Sequence, residues 1–188
     1  MEIGDIIERP RLESAPEPPI PTPSVSSKDD VSFTDTIREL FECFRRNHFL
    51  YFPILDEDFS ATDLVQSCPL LFWTIIIISS RYHTRHCSIY RSLCDPYMET
   101  LSNALVRSIK SVRVIQAILY LCLWPLRISK QHGDPSLTYC GVAVNASLKL
   151  GLHKPVQEKE NQNRGQAFVV DSEERMMMWM GCLYLSTQ

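Results

Sequence analysis

From about residue 34 onward, apolar positions recur at spacings of three and four, which predicts a succession of helices. Ile37, Leu40, Phe41 and Phe44 fall on one face of the first, with order beginning near Ser32 and Thr34 or Asp35 placed to cap it. Phe49-Leu50-Tyr51-Phe52 runs into Pro53 and reads as extended, because the residue before a proline avoids the α region. Ile54 and Leu55 then point inward, and Asp56-Glu57-Asp58 makes a solvated turn. Pro69, behind Ser67 or Cys68, suits the first position of a second helix. That helix carries Leu70, Leu71, Phe72, Trp73 and Ile75–Ile78 and is apolar on every side. Its isoleucines also fit a buried strand. The proline start, the length of the run and the lack of a partner strand favour helix.

A third helix is expected from about Tyr90 to Ile109, with Met98, Leu101, Leu105 and Ile109 as its stripe. Ser111 can cap a fourth, from Val112 to Trp124, apolar almost all round apart from Gln116 and therefore central; Pro125 ends it. Asp134 as cap and Pro135 as first residue open a fifth, with Tyr139, Val142, Ala143, Ala146 and Leu150 on one face and Gly151 as the left-handed terminator. A polar loop, Glu158 to Gly165, precedes a last helix in which Asp171 and Glu174 have capping-box spacing. Its stripe is Met176, Trp179, Met180 and Leu183, and no stop signal precedes Gln188, which reads as truncation. There is no internal repeat, Gly-rich phosphate loop or strand–helix alternation. The expectation is an all-α, bundle-like domain over residues 32–188.

Residues 1–31 read differently. Pro10, Pro16, Pro18, Pro19, Pro21 and Pro23 are half of the chain's 12 prolines, and Ser24, Ser26 and Ser27 follow. Such a segment cannot continue a helix and buries little, so it is expected to be a disordered linker. The 188 residues suffice for one domain with a core. The net charge of -3 argues against a surface that grips phosphates, which is normally basic. Seven cysteines, odd in number and widely spaced, contain no C-x-x-C pair and read as reduced, mostly buried thiols of an intracellular protein. There is no signal peptide at the N-terminus. The longest apolar runs, Leu70–Ile78 and Val114–Leu126, fall short of the roughly 20 residues that cross a bilayer, so no membrane is expected.

Four constellations could carry chemistry. His83, His86 and Cys87 have spacings that can point zinc ligands to one side of a helix. Arg81 and Arg85 lie among them, however, and no fourth ligand is near in sequence, so a polar connector is the better reading. Arg81, Arg85, Arg91 and the two histidines, with Tyr82 and Tyr90, make too short a patch for nucleic acid and read as solvated, as does Arg45-Arg46. Asp56/Asp58 belong to a turn, and Glu173/Glu174 to a helix start where acids favour the dipole. No G-x-S-x-G elbow or Cys/His/Asn arrangement is present. No catalytic, metal-ligating or DNA-contacting residue is therefore expected; the chain does not read as an enzyme.

Several strings in order resemble one family. They are His48-Phe49-Leu50-Tyr51-Phe52-Pro53-Ile54-Leu55-Asp56, then Cys68-Pro69-Leu70-Leu71-Phe72-Trp73-Thr74-Ile75 with Ser79-Ser80-Arg81, and Val114 through Pro125. Asp134-Pro135-Ser136, Gly141-Val142-Ala143, Leu148 through Lys154 and Glu173-Glu174-Arg175 follow. Over about residues 36–185 the chain resembles the regulatory middle homology domain of fungal zinc-cluster transcription factors. The subgroup most similar is the regulators of secreted proteases and of the weak-acid response. It departs at Leu137, where the family commonly has tryptophan, and at Met176–Met178, where the family is usually more basic.

The resemblance implies a helical regulatory domain in a nuclear protein that controls transcription by RNA polymerase II. It implies that zinc, DNA contact and homodimerisation belong to an N-terminal six-cysteine cluster and its linker, absent from this chain. A small-molecule effector is conceivable in such a domain, and the sequence names none. Two rival readings stand beside it: a small helical metal-binding protein or enzyme using His83/His86/Cys87, and a nonfunctional truncated product. Metal content of the purified chain separates the first. A C-x2-C-x6-C string encoded upstream of Met1 separates the second.

Overall fold

The computed structural model describes residues 29–126, 135–154 and 172–187. The proline-rich linker up to residue 28, Asp134, the loop from Glu158 to Gly165 and Asp171 lie outside the described residues. Within them the chain is all α, with seven α-helices and no strand.

Helix α1 spans Asp29–Phe44. It starts before the expected cap, so Thr34 and Asp35 lie inside it, and Asp35 instead pairs with Arg38 at 2.7 Å. One π-helical turn, Arg45–Phe49, continues α1 and buries His48. The stretch through Tyr51 is a turn rather than the extended run expected. The Tyr51 and Phe52 amides donate to the His48 carbonyl at 3.1 and 3.2 Å. Pro53 constrains only the residue before it.

Helix α2, Ala61–Ser67, was not anticipated. Its signal was present as Ser60-x-x-Asp63. The Ser60 hydroxyl accepts from the Asp63 amide at 3.1 Å and donates to the Asp63 carboxylate at 2.6 Å. Helix α3, Pro69–Ser80, follows with Cys68 as N-cap and proline at its first position. Ten of its twelve residues are buried, so the isoleucine run is helical. A helix satisfies its own backbone groups, and so can be wrapped on all sides by neighbours.

Helix α4, Cys87–Val106, starts and stops three residues earlier than the stripe suggested. Tyr97 and Leu101 are its buried residues, and Ile109 reaches the core from the following loop. The Tyr97 hydroxyl lies 2.7 Å from Thr74 Oγ1, which donates to the Leu70 carbonyl. Helix α5, Val112–Leu123, has Ser111 at its N-cap and stops one residue before Trp124-Pro125. Helix α6, Ser136–Lys149, has Pro135 as its N-cap rather than its first residue. It ends at Gly151, φ 72°, with the Leu152 amide on the Ser147 carbonyl at 3.0 Å and the Gly151 amide on Leu148 at 3.0 Å. Those two bonds are a Schellman stop, and Leu152 seals it by being buried.

Helix α7 spans Ser172–Ser186. Its buried residues are Met178, Gly181 and Cys182. The expected stripe is corrected here: Met176, Met180 and Leu183 are 60%, 58% and 42% exposed, and only Trp179 packs partly inward. Aromatic and thioether side chains surround the helix on both sides, so size and apolarity alone could not choose the face.

Helices α3 and α5 form the centre. Helix α3 packs on α1, α2, α4 and α5, and α5 packs also on α6 and α7. Both are covered within the described residues, since ten residues of α3 and Ile115 through Leu121 of α5 are buried. No disulfide joins any of the seven cysteines, all of which are described; Cys68, Cys140 and Cys182 are buried and Cys87 is exposed. No helix among the described residues is long and apolar enough to cross a membrane.

Candidate functional site

Three places combine polar or reactive groups with unusual surroundings. The first is the segment joining α3 to α4. The trio His83/His86/Cys87 is not gathered, because Cys87 is the exposed first residue of α4. What joins the histidines instead is Glu39 of α1, brought across by the packing of α1 on α3. One ligand atom from each of Glu39, His83 and His86 lies within 4.8 Å of the others. His86 Nε2 is 2.9 Å from Glu39 Oε2, and the two imidazole rings stack at 4.6 Å. Arg85 Nη2 donates to the same carboxylate oxygen at 2.7 Å. The His86 hydrogen bond and the Arg85 charge hold the Glu39 carboxyl below its ordinary range. Partial burial, helped by the adjoining His86 and Arg85 charges, holds His83 below the ordinary imidazole range.

The second place is the segment Phe52–Ile54, within which the Ile54 amide donates to the Phe52 carbonyl at 3.0 Å. Gln116 and Tyr120, four apart on α5, add side-chain donors to its carbonyls. The Tyr120 hydroxyl donates to the Phe52 carbonyl at 2.8 Å, and Gln116 Nε2 donates to the Ile54 carbonyl at 2.7 Å. Gln116 Nε2 also reaches Glu174 Oε1 of α7 at 3.2 Å. The one polar residue of an apolar run is thus a buried clamp across three segments. Beside it the π turn seats His48 between Phe44, stacked at 5.5 Å, and Trp124, edge-on at 4.9 Å. His48 Nδ1 is buried without a partner, and burial lowers the imidazole to about 4.

The third place is the outer face of α7, where Met176, Met180, Leu183 and Tyr184 are all exposed. Tyr51, Val106 and Leu137 are exposed elsewhere, Leu137 by 84%.

The arginines read as solvated have defined partners. Arg45 lies over the Phe59 ring at 4.0 Å and donates to the Glu57 carbonyl at 2.7 Å and to that of Phe59. Arg81 donates to the Pro125 carbonyl and lies 4.8 Å over Tyr82. Arg45 ties the π turn to the turn before α2, and Arg81 ties the end of α3 to the end of α5, contacts that no local sequence pattern encodes. Arg46 does remain exposed, 3.4 Å from Glu42. Of the carboxylate pairs, Asp56 lies 3.9 Å from Arg113 and Glu174 takes the Gln116 amide, while Glu173 is exposed in the first turn of α7.

A core built around two mostly apolar helices, with Leu148-Lys149-Leu150-Gly151-Leu152 forming the α6 stop, is the pattern to which a family can be compared. The model of the fungal specific transcription factor domain matches residues 34–188. The chain belongs to this family. Among relatives, the transcriptional regulatory protein SEF1 of Candida albicans is 32% identical over 138 residues, 73% of this chain. Regulatory protein LEU3 of Saccharomyces cerevisiae is 26% identical over 165 residues, 80% of this chain. The chain spans 15% of the first and 18% of the second, so it corresponds to a small part of such factors. Neither name describes a protease or weak-acid regulator, the subgroup expected from the sequence strings. No solved structure matches the chain significantly. The fungal transcription factor domain described here therefore carries the regulatory-domain reading on family membership and on its helical core.

Proposed function

We propose that this chain is a non-catalytic regulatory module of a fungal zinc-cluster transcription factor acting in the nucleus. The observation that supports it is the family match over residues 34–188, which falls on the helices and their core. In this reading DNA and the six-cysteine zinc cluster are held elsewhere in a full-length factor, and this domain sets whether the activating part is available. Its buried clamp links the Phe52–Ile54 segment, α5 and α7.

The test fuses residues 1–188 between a heterologous DNA-binding domain and an activation domain in a fungal reporter strain. The expected result is reporter output that differs from the fusion lacking the module, and that returns to that level when Ile118→Asp breaks the core. Equal output with and without the intact module would overturn the proposal. The chain alone is expected to show no sequence-selective DNA binding at physiological salt, since base readout needs a defined element aimed at base edges. Selective submicromolar binding in a gel-shift titration would contradict it.

A further inference from the structure

We infer that Glu39, His83 and His86 form a binding site for one zinc ion that ties α1 to the segment between α3 and α4. The sequence argued against zinc at His83/His86/Cys87 because a further ligand was lacking nearby. The tertiary fold supplies one from α1, so that two imidazoles and a carboxylate converge with their ligand atoms within 4.8 Å. Two nitrogens and one oxygen are a donor set that zinc accepts, with water in the remaining position. Bonds of about 2.0–2.2 Å require donors roughly 3.3 Å apart, so side-chain rotations of about 1 Å close the set. All three residues are half-buried, which leaves them held by the fold yet open to an arriving ion.

The cation now at the site is Arg85, at 2.7 Å from Glu39. The Arg85 side chain is 69% exposed, and an exposed ion pair of this kind is weak, so a divalent ion can replace it. The ion would take over the positive role that Arg85 now holds at the Glu39 carboxylate. It would join two elements that are now linked there only by those contacts. This inference does not depend on the regulatory reading.

The experiment titrates zinc chloride into the purified 188-residue chain by calorimetry, in a non-thiol reductant, with thermal melting in parallel. One saturable site and a zinc-dependent rise in melting temperature are expected. Glu39→Gln and His83→Asn are each expected to weaken binding at least tenfold, with unchanged circular dichroism. Cys87→Ser is expected to bind as the parent does. Arg85→Ala is expected to tighten binding about fivefold, by removing a like charge about 4 Å from the ion. No saturable binding by the parent chain would overturn the inference. So would equal binding by Glu39→Gln and His83→Asn, or loss of binding in Cys87→Ser.

Discussion

Tyr120 and Gln116 show how a single polar atom in an apolar helix is used. Pro53 has no amide proton, the Ile54 amide donates to the Phe52 carbonyl at 3.0 Å, and Tyr120 and Gln116 add side-chain donors to the Phe52 and Ile54 carbonyls. Tyr120→Phe keeps the ring and removes one of two donors to the Phe52 carbonyl, the other being the Ile54 amide at 3.0 Å. Urea denaturation is expected to show a loss of about 0.5–1.5 kcal/mol; a loss below a few tenths would mean that the Ile54 amide alone satisfies the carbonyl. His48 gives a pH dependence of defined sign. Its native value of about 4 lies below the unfolded value near 6.5, so the unfolded chain takes up the proton first. The neutral ring costs nothing above pH 6.5; stability is lost as pH falls from about 6.5 to about 4, by about 2 kcal/mol after allowance for partial solvation. In His48→Phe that part of the acid slope is expected to vanish. Denaturation midpoints measured across this pH range, with the same slope in both proteins, would show that His48 is not the group responsible.

At the scale of elements, small residues and caps decide how helices meet. A Cβ on Gly181 would stand 2.9 Å from Phe52 Cζ and 3.4 Å from Ile54 Cγ2, so glycine lets α7 approach the clamped segment. Gly181→Ala gains about 1 kcal/mol of helix propensity and pushes the tip of a buried ring, and the two nearly cancel. Gly181→Leu cannot be absorbed, and thermal melts are expected to show destabilisation of about 1–3 kcal/mol or more. A stable Gly181→Leu variant would mean that α7 packs elsewhere in solution. Helix α2 is short and rests on its cap, so Ser60→Ala is expected to cost about 1 kcal/mol and to speed amide exchange at Asp63. Unchanged exchange there would show that the backbone, not the hydroxyl, holds this turn.

For the whole molecule, the surface of α7 is the place where burial stops short. Met176 and Met180 are four apart and more than half exposed, with Leu183 and Tyr184 one turn further on. Exposed apolar side chains arranged on one helical face bind hydrophobic dyes and favour self-association. Met176→Lys with Met180→Lys is expected to lower dye fluorescence and the sedimenting fraction, with little change in melting because neither residue is in the core. If dye binding stays the same, the exposed surface responsible lies on another element.

Helix order, the central rank of α3 and α5, the proline start of α3 and the glycine stop of α6 were legible from periodicity and caps. Those signals are local: a stripe, a proline and a glycine act through their own few neighbours. The same local logic held the Ser60-x-x-Asp63 cap of α2, which was overlooked among the acids around it. Resemblance carried the family, which the match over residues 34–188 bears out. What the chain alone did not decide was which face of α7 turns inward, because both faces are apolar and Gly181 marks the buried one only once Phe52 is known to be there. Nor did it decide that Glu39 would stand beside His83 and His86, more than forty residues away, or that Gln116 would be a clamp rather than an anomaly. Those outcomes depend on contacts between elements distant in sequence, and only the packing of α1 on α3 and of α5 on the Phe52–Ile54 segment brings the groups together.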